Sequence, residues 1–179
     1  MKHIKKISAL ALFIFFSSTF LAQKTAFFTD KDVLFKQGLD LFDKKQFVQS
    51  QKSFSDYILV SNSKILKTDA IYYSAACAIE LFNKDGEWQM KQFVEKHPES
   101  NKINNANFYL GKSNFRKKKY PETIQFFEKV DIYKLDKVQL AELYFKRGYS
   151  NLEIGQDEKA KTDFYEIKDV DGGYKISKI

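Results

Sequence analysis

Four times along this chain a small residue sits in the middle of an amphipathic segment: Gly38, Ala76, Gly111 and Gly148, separated by 38, 35 and 37 residues. Glycine inside a helix costs about 1 kcal/mol relative to alanine. A glycine kept there needs an offsetting gain, and close approach of another helix supplies one. Near-constant spacing of such segments predicts stacked helical hairpins, because one hairpin cannot bury its own apolar face and a neighbour supplies the cover.

The flanking residues agree. Leu34, Phe35, Leu41 and Phe42 fall at helical spacing around Gly38, and Phe47, Phe54, Tyr57 and Ile58 form the face after a polar turn at Lys44, Lys45 and Gln46. Ile71, Tyr72, Ala75 and Ile79 open a second unit. Its turn is signalled by Asn83, Lys84, Asp85 and Gly86. Trp88, Phe93 and Val94 are read as its returning face, and Pro98 closes it. The third unit, 104–130, is the most regular copy. The fourth carries Leu140, Tyr144, Phe145 and Leu152, a turn at Gly155, then Ala160, Phe164 and Ile167. Asp136 and Gln139 form a capping-box pattern at its start. With only 7 Gly and 2 Pro, the chain lacks the turn residues of a multi-stranded sheet. The predicted fold is all-α.

In these features the chain resembles the tetratricopeptide repeat family, whose period is 34 residues. Gly38, Ala76, Gly111 and Gly148 match its small residue where the two helices of a unit meet. Phe47 and Tyr120 match its aromatic after the turn, whereas Asp157 departs from it. Ser50 before Phe54, Thr123 before Phe127 and Ala160 before Phe164 match its small residue in the second helix. The second unit departs most, needing a one-residue shift to align Trp88 and Phe93. The extra residues over the family period are expected between hairpins, in 61–65 and 131–137. The resemblance covers 32–170 and implies a right-handed curved solenoid of about four helix-turn-helix units.

Outside that array, Lys2, Lys5 and Lys6 precede an apolar stretch from Ile7 to Leu21 and a polar continuation, the three-part pattern of a secretory leader over 1–22. The stretch is short for a membrane span. An uncleaved anchor is the alternative, because Phe20 stands where cleavage prefers a small residue. Residues 23–31 read as a lead-in, with Phe27 and Phe28 able to pack on the first helix. Residues 171–179 read as a truncated spacer or the start of a further repeat, an end through which copies could associate. Loss of the three leader lysines takes the net charge from +7 to about +4. That mild excess implies no nucleic-acid partner. The expected address is the periplasm or cell envelope.

Chemistry finds little to work with. Cys77 is the only cysteine, so the chain forms no internal disulfide, and a small buried role at a helix crossing is expected for it. After the leader His97 is the only histidine, beside Pro98 in a turn. No phosphate-binding glycine motif and no His/Cys cluster appears. Neither an enzyme activity, nor a metal, nor a cofactor is expected.

The resemblance instead implies binding in a groove lined by the first helix of each unit. Three residues before each crossing stand Phe35, Tyr73, Phe108 and Phe145, a ring in every unit. For Phe35 and Phe108 in particular, packing between units is an equal alternative. Lys112, Phe115 and Tyr149 complete the candidate partner-binding set. The family's paired Lys and Asn clamp for a terminal carboxylate has no counterpart at Phe35, Leu39, Tyr73 and Cys77. Arg116, Lys117, Lys118 and Lys119 form a basic run at the third turn, read as a solvated helix end or a secondary rim for acidic partners. The function expected is a non-catalytic scaffold holding a peptide or helix of a protein partner. The alternatives are a module binding cell wall or anionic lipid, with contact at a membrane surface, and the N-terminal regulatory arm of a longer protein.

Overall fold

The computed structural model describes residues 32–169. The predicted leader, the lead-in with Phe27 and Phe28, and the 171–179 segment lie outside the described residues. Within them the chain forms eight α-helices and one 3-10 turn, with no strand. The helices are α1 (Val33–Asp43), α2 (Phe47–Val60), α3 (Lys64–Glu80), α4 (Gly86–Lys96), α5 (Ile103–Arg116), α6 (Tyr120–Phe127), α7 (Lys137–Glu153) and α8 (Asp157–Asp169). Each packs on the next, making four tetratricopeptide-like hairpins in a row, as the spacing predicts.

Successive first helices also pack on one another, α1 on α3, α3 on α5 and α5 on α7. Successive second helices make no comparable contact. That asymmetry draws the first helices together and puts the concave side on their face. The core is correspondingly built between units. Phe35, Phe54 and Tyr57 of unit one meet Ala70 of unit two; Tyr72, Met90 and Phe93 meet Tyr109 and Leu110 of unit three; Phe108, Phe127 and Val130 meet Leu143 and Tyr144 of unit four.

The crossings explain the small residues. A Cβ on Gly38 would stand 2.7 Å from the Phe54 ring, and one on Gly111 2.5 Å from the Phe127 ring. On Gly148 it would meet Phe164 and the Cβ of Asp163 at 3.0 Å. Ala76 is fully buried. In unit one the Ser50 hydroxyl donates to the Gly38 carbonyl at 2.8 Å, and the Cys77 thiol donates to Ser50 at 3.4 Å. Burial pushes the Cys77 thiol up to about 11, so it is a packing residue without thiolate reactivity.

All four hairpins turn the same way. Lys45, Phe82, Lys118 and Gly155 each lie two residues past the end of the first helix, with φ of 58°, 60°, 56° and 74°. The next residue's N–H reaches back to a helix carbonyl: Gln46 to Leu41, Asn83 to Ala78, Lys119 to Asn114 and Gln156 to Asn151, at 2.8–3.0 Å. This is the Schellman ending, in which a left-handed residue lets the chain satisfy orphan carbonyls. Only the fourth turn uses the residue suited to it. Left-handed backbone costs a non-glycine residue about 1–2 kcal/mol, against about 0.5–1 kcal/mol for the extra freedom glycine loses on folding. Lys118→Gly is therefore expected to stabilise the array by about 0.5–1 kcal/mol. A denaturation midpoint that failed to rise, at unchanged slope, would count against this account of the turn.

Unit two departs from the expectation in two ways. Its turn spans 81–85, against 44–46, 117–119 and 154–156 elsewhere. The longer path brings Gly86 under the end of α3, where a Cβ would lie 2.8 Å from the Ala78 carbonyl carbon. The rotated α4 turns Trp88 outward, 63% exposed, and gives its inward positions to Met90 and Phe93. Trp88 is thus not part of the returning core face.

The connectors divide similarly. Between units three and four the extra residues form the 3-10 turn Ile132–Lys134. The Asn104 side chain holds it by accepting from the Asp131 N–H at 2.7 Å and donating to its carbonyl at 3.1 Å. Asp136 and Gln139 form the predicted capping box. Before unit two, residues 61–63 form a short non-helical connector, and only Lys64 and Ile65 of the expected spacer join α3, with Ser63 accepting from the Leu66 N–H at its start.

Candidate interaction surface

The ring series divides along the array. Phe35 is buried, 5.3 Å from Tyr57 and 5.7 Å from Phe54. Tyr73 stacks on Phe54 at 5.1 Å and meets Phe42 at 5.2 Å. Phe108 is 2% exposed among Phe127, Leu143 and Tyr144. These three rings hold neighbouring units together, and Phe35 and Phe108 present no surface to a partner, which corrects their reading as groove contacts. The physical reason is that first helices converge on the concave side, so their large side chains fill the gaps between units.

The accessible rings gather between units three and four. Phe115 lies 5.7 Å from Tyr149 and 6.4 Å from Tyr120. Tyr120 lies 6.1 Å from Tyr149, and Phe145 6.4 Å from it. Phe115, Tyr120 and Phe145 are half-buried, and Tyr149 is 36% exposed. A hydrogen bond with Glu153 raises the Tyr149 phenol. Tyr120 enters this group from the start of α6, where its sequence signal was only that of the aromatic after a turn.

Lys112 is not a free groove cation. Its Nζ lies 2.7 Å from Glu80 and 3.6 Å from Glu142, and Glu142 in turn lies 3.0 Å from Lys146. The basic run is likewise partly committed. Arg116 donates to the Ile79 carbonyl and stacks on the Phe82 ring at 4.3 Å. Burial lowers its pKa, opposed by Glu80 and Glu142. Lys117 reaches Glu87 at 2.6 Å, and Lys91 meets the other oxygen of that carboxylate at 2.6 Å. Burial acts to raise Glu87, but the two ammonium groups outweigh it and bring it to about 2. The side chains of Lys118 and Lys119 make no ion pair among the described residues. The Glu87–Lys91 contact has the i,i+4 spacing of a helical ion pair, whereas the contact with Lys117, 30 residues away, left no signal in the sequence.

Among the described residues no group of three or more His, Cys, Asp or Glu side chains is placed to hold a metal ion. No helix among them is long and apolar enough to cross a membrane. The chain is similar to a solved structure titled MamA MSR-1 C2, at 11% identity and a TM-score of 0.48, over 79% of this chain and 96% of that one. A likeness of that size carries no argument about activity or partners. No family model and no curated protein matches the chain.

Proposed function

We propose that this chain is a non-catalytic scaffold of the cell envelope that holds a segment of a protein partner against the first-helix face of units three and four. The observation that carries the reading is the contiguous, partly covered platform of Phe115, Tyr120, Phe145 and Tyr149. Rigid aromatic anchors beside a polar rim are the composition of energetically dominant interface positions. Lys146, whose Nζ stands 5.0 Å from the Phe115 ring centre, and Glu153 supply that rim. The leader pattern over 1–22 supports export. A lipid-binding role for the basic turn is less well supported, because Arg116 and Lys117 are engaged within the chain.

A photo-crosslinking amino acid at position 149 tests this in cells expressing the chain. It is expected to give discrete protein adducts that disappear when Phe115→Ala is added. The same group at the exposed Gln125 on α6 is expected to give none of them. Adducts from position 149 containing glycan or lipid without protein would remove the scaffold reading.

A further inference from the structure

On the concave side, acid and base alternate across three successive first helices. Glu80 belongs to α3, Lys112 to α5, and Glu142 and Lys146 to α7. The Lys112 ammonium stands between the first two carboxylates, 2.7 Å from one and 3.6 Å from the other. Its position is fixed from below by the Phe108 and Tyr109 rings, with centroids 5.7 and 5.1 Å away. The four charged side chains are only 15–18% exposed. Charges so placed are screened far less than surface charges. One side chain therefore links units two, three and four on the side where their first helices converge. Without it, two partly buried carboxylates on either side of α5 would lose the cation between them.

We infer that Lys112 is a strut that sets the spacing of the first helices of units two, three and four, and thereby the width of the concave groove. Its role is positional: it shapes the groove without contacting what the groove holds. The strut stands whether or not the aromatic platform binds a protein. It also accounts for a largely buried lysine at a position where an apolar residue would pack without needing two carboxylate partners.

Distance measurement between spin labels tests the strut directly. Ile65→Cys and Val138→Cys place labels at the exposed starts of α3 and α7. Cys77 is fully buried and stays unlabelled. Lys112→Met keeps the packing on Phe108 and Tyr109 but removes the charge. It is expected to shift the distance distribution longer and broaden it, while Lys112→Arg restores the original distribution. An unchanged distribution in a folded Lys112→Met protein overturns the inference. Should that variant fail to fold, Glu142→Gln removes only the α7 arm and must still lengthen the distance. No lengthening there overturns it equally.

Discussion

Gly111→Leu is expected to destabilise the protein by about 3 kcal/mol, the upper part of the range for overpacking a closed core. Two effects of opposite sign compete. Replacing a helical glycine gains about 0.8–1 kcal/mol of helix propensity. Against that, even a Cβ would lie 2.5 Å from the Phe127 ring, which is itself fully buried. The ring has nowhere to retreat: Phe108 lies 5.9 Å away on one side, and Leu143 and Tyr144 of the next unit pack the same cluster. The clash therefore exceeds the propensity gain, and α5 and α6 must separate. Because unit three has a neighbour on each side, separation there also withdraws cover from units two and four. Denaturant or thermal unfolding measures the loss. A midpoint equal to wild type would show that the crossing at Gly111 is not the contact that fixes this hairpin.

The parts of this architecture that were legible in the sequence are those with a local signature. Gly38, Gly111 and Gly148 announced close crossings because a helical glycine is costly unless something approaches it. Asp136 and Gln139 announced a helix start three residues apart. The turns were legible in position and not in geometry: Lys45, Phe82 and Lys118 occupy left-handed backbone that their residue types do not advertise. Trp88 was misplaced because a turn two residues longer rotates α4, and helical periodicity does not register a rotation set by an upstream turn. The charge ladder was invisible for a different reason. Lys112 meets Glu80 across 32 residues, and only the stacking of units brings them together. For the same reason residue spacing placed Phe108 and Phe145 at equivalent positions, while packing buries one and leaves the other half-exposed.

Asp163→Ala should cost about 3 kcal/mol, and the damage should be confined to one end of the described array. Asp163 is 3% exposed on α8. The Arg147 guanidinium of α7 binds it through two nitrogens, with Nη2 at 2.6 Å and Nε at 3.1 and 3.2 Å. Burial acts to lower the Arg147 pKa, and the Asp163 partnership overcomes it, leaving the value raised. Removing one member of such a pair strands the other, at about 3–5 kcal/mol for a buried ion. Arg147 keeps 22% of its side chain exposed, which places the expected loss at the lower end. The substitution strands a second group as well. Asn151 donates to Asp163 at 3.3 Å, and its buried Oδ1 makes no hydrogen bond among the described residues. Like position 111, this pair joins the two helices of a single hairpin, but this hairpin has a described neighbour on one side, unit three. In a nearest-neighbour array the loss should open α7 and α8 before the others. Amide exchange is therefore expected to accelerate over 137–169 while 33–96 keeps its protection. Unchanged exchange in α7 and α8 would show that the Arg147–Asp163 pair does not hold the hairpin. Equal acceleration everywhere would show that the four units unfold together.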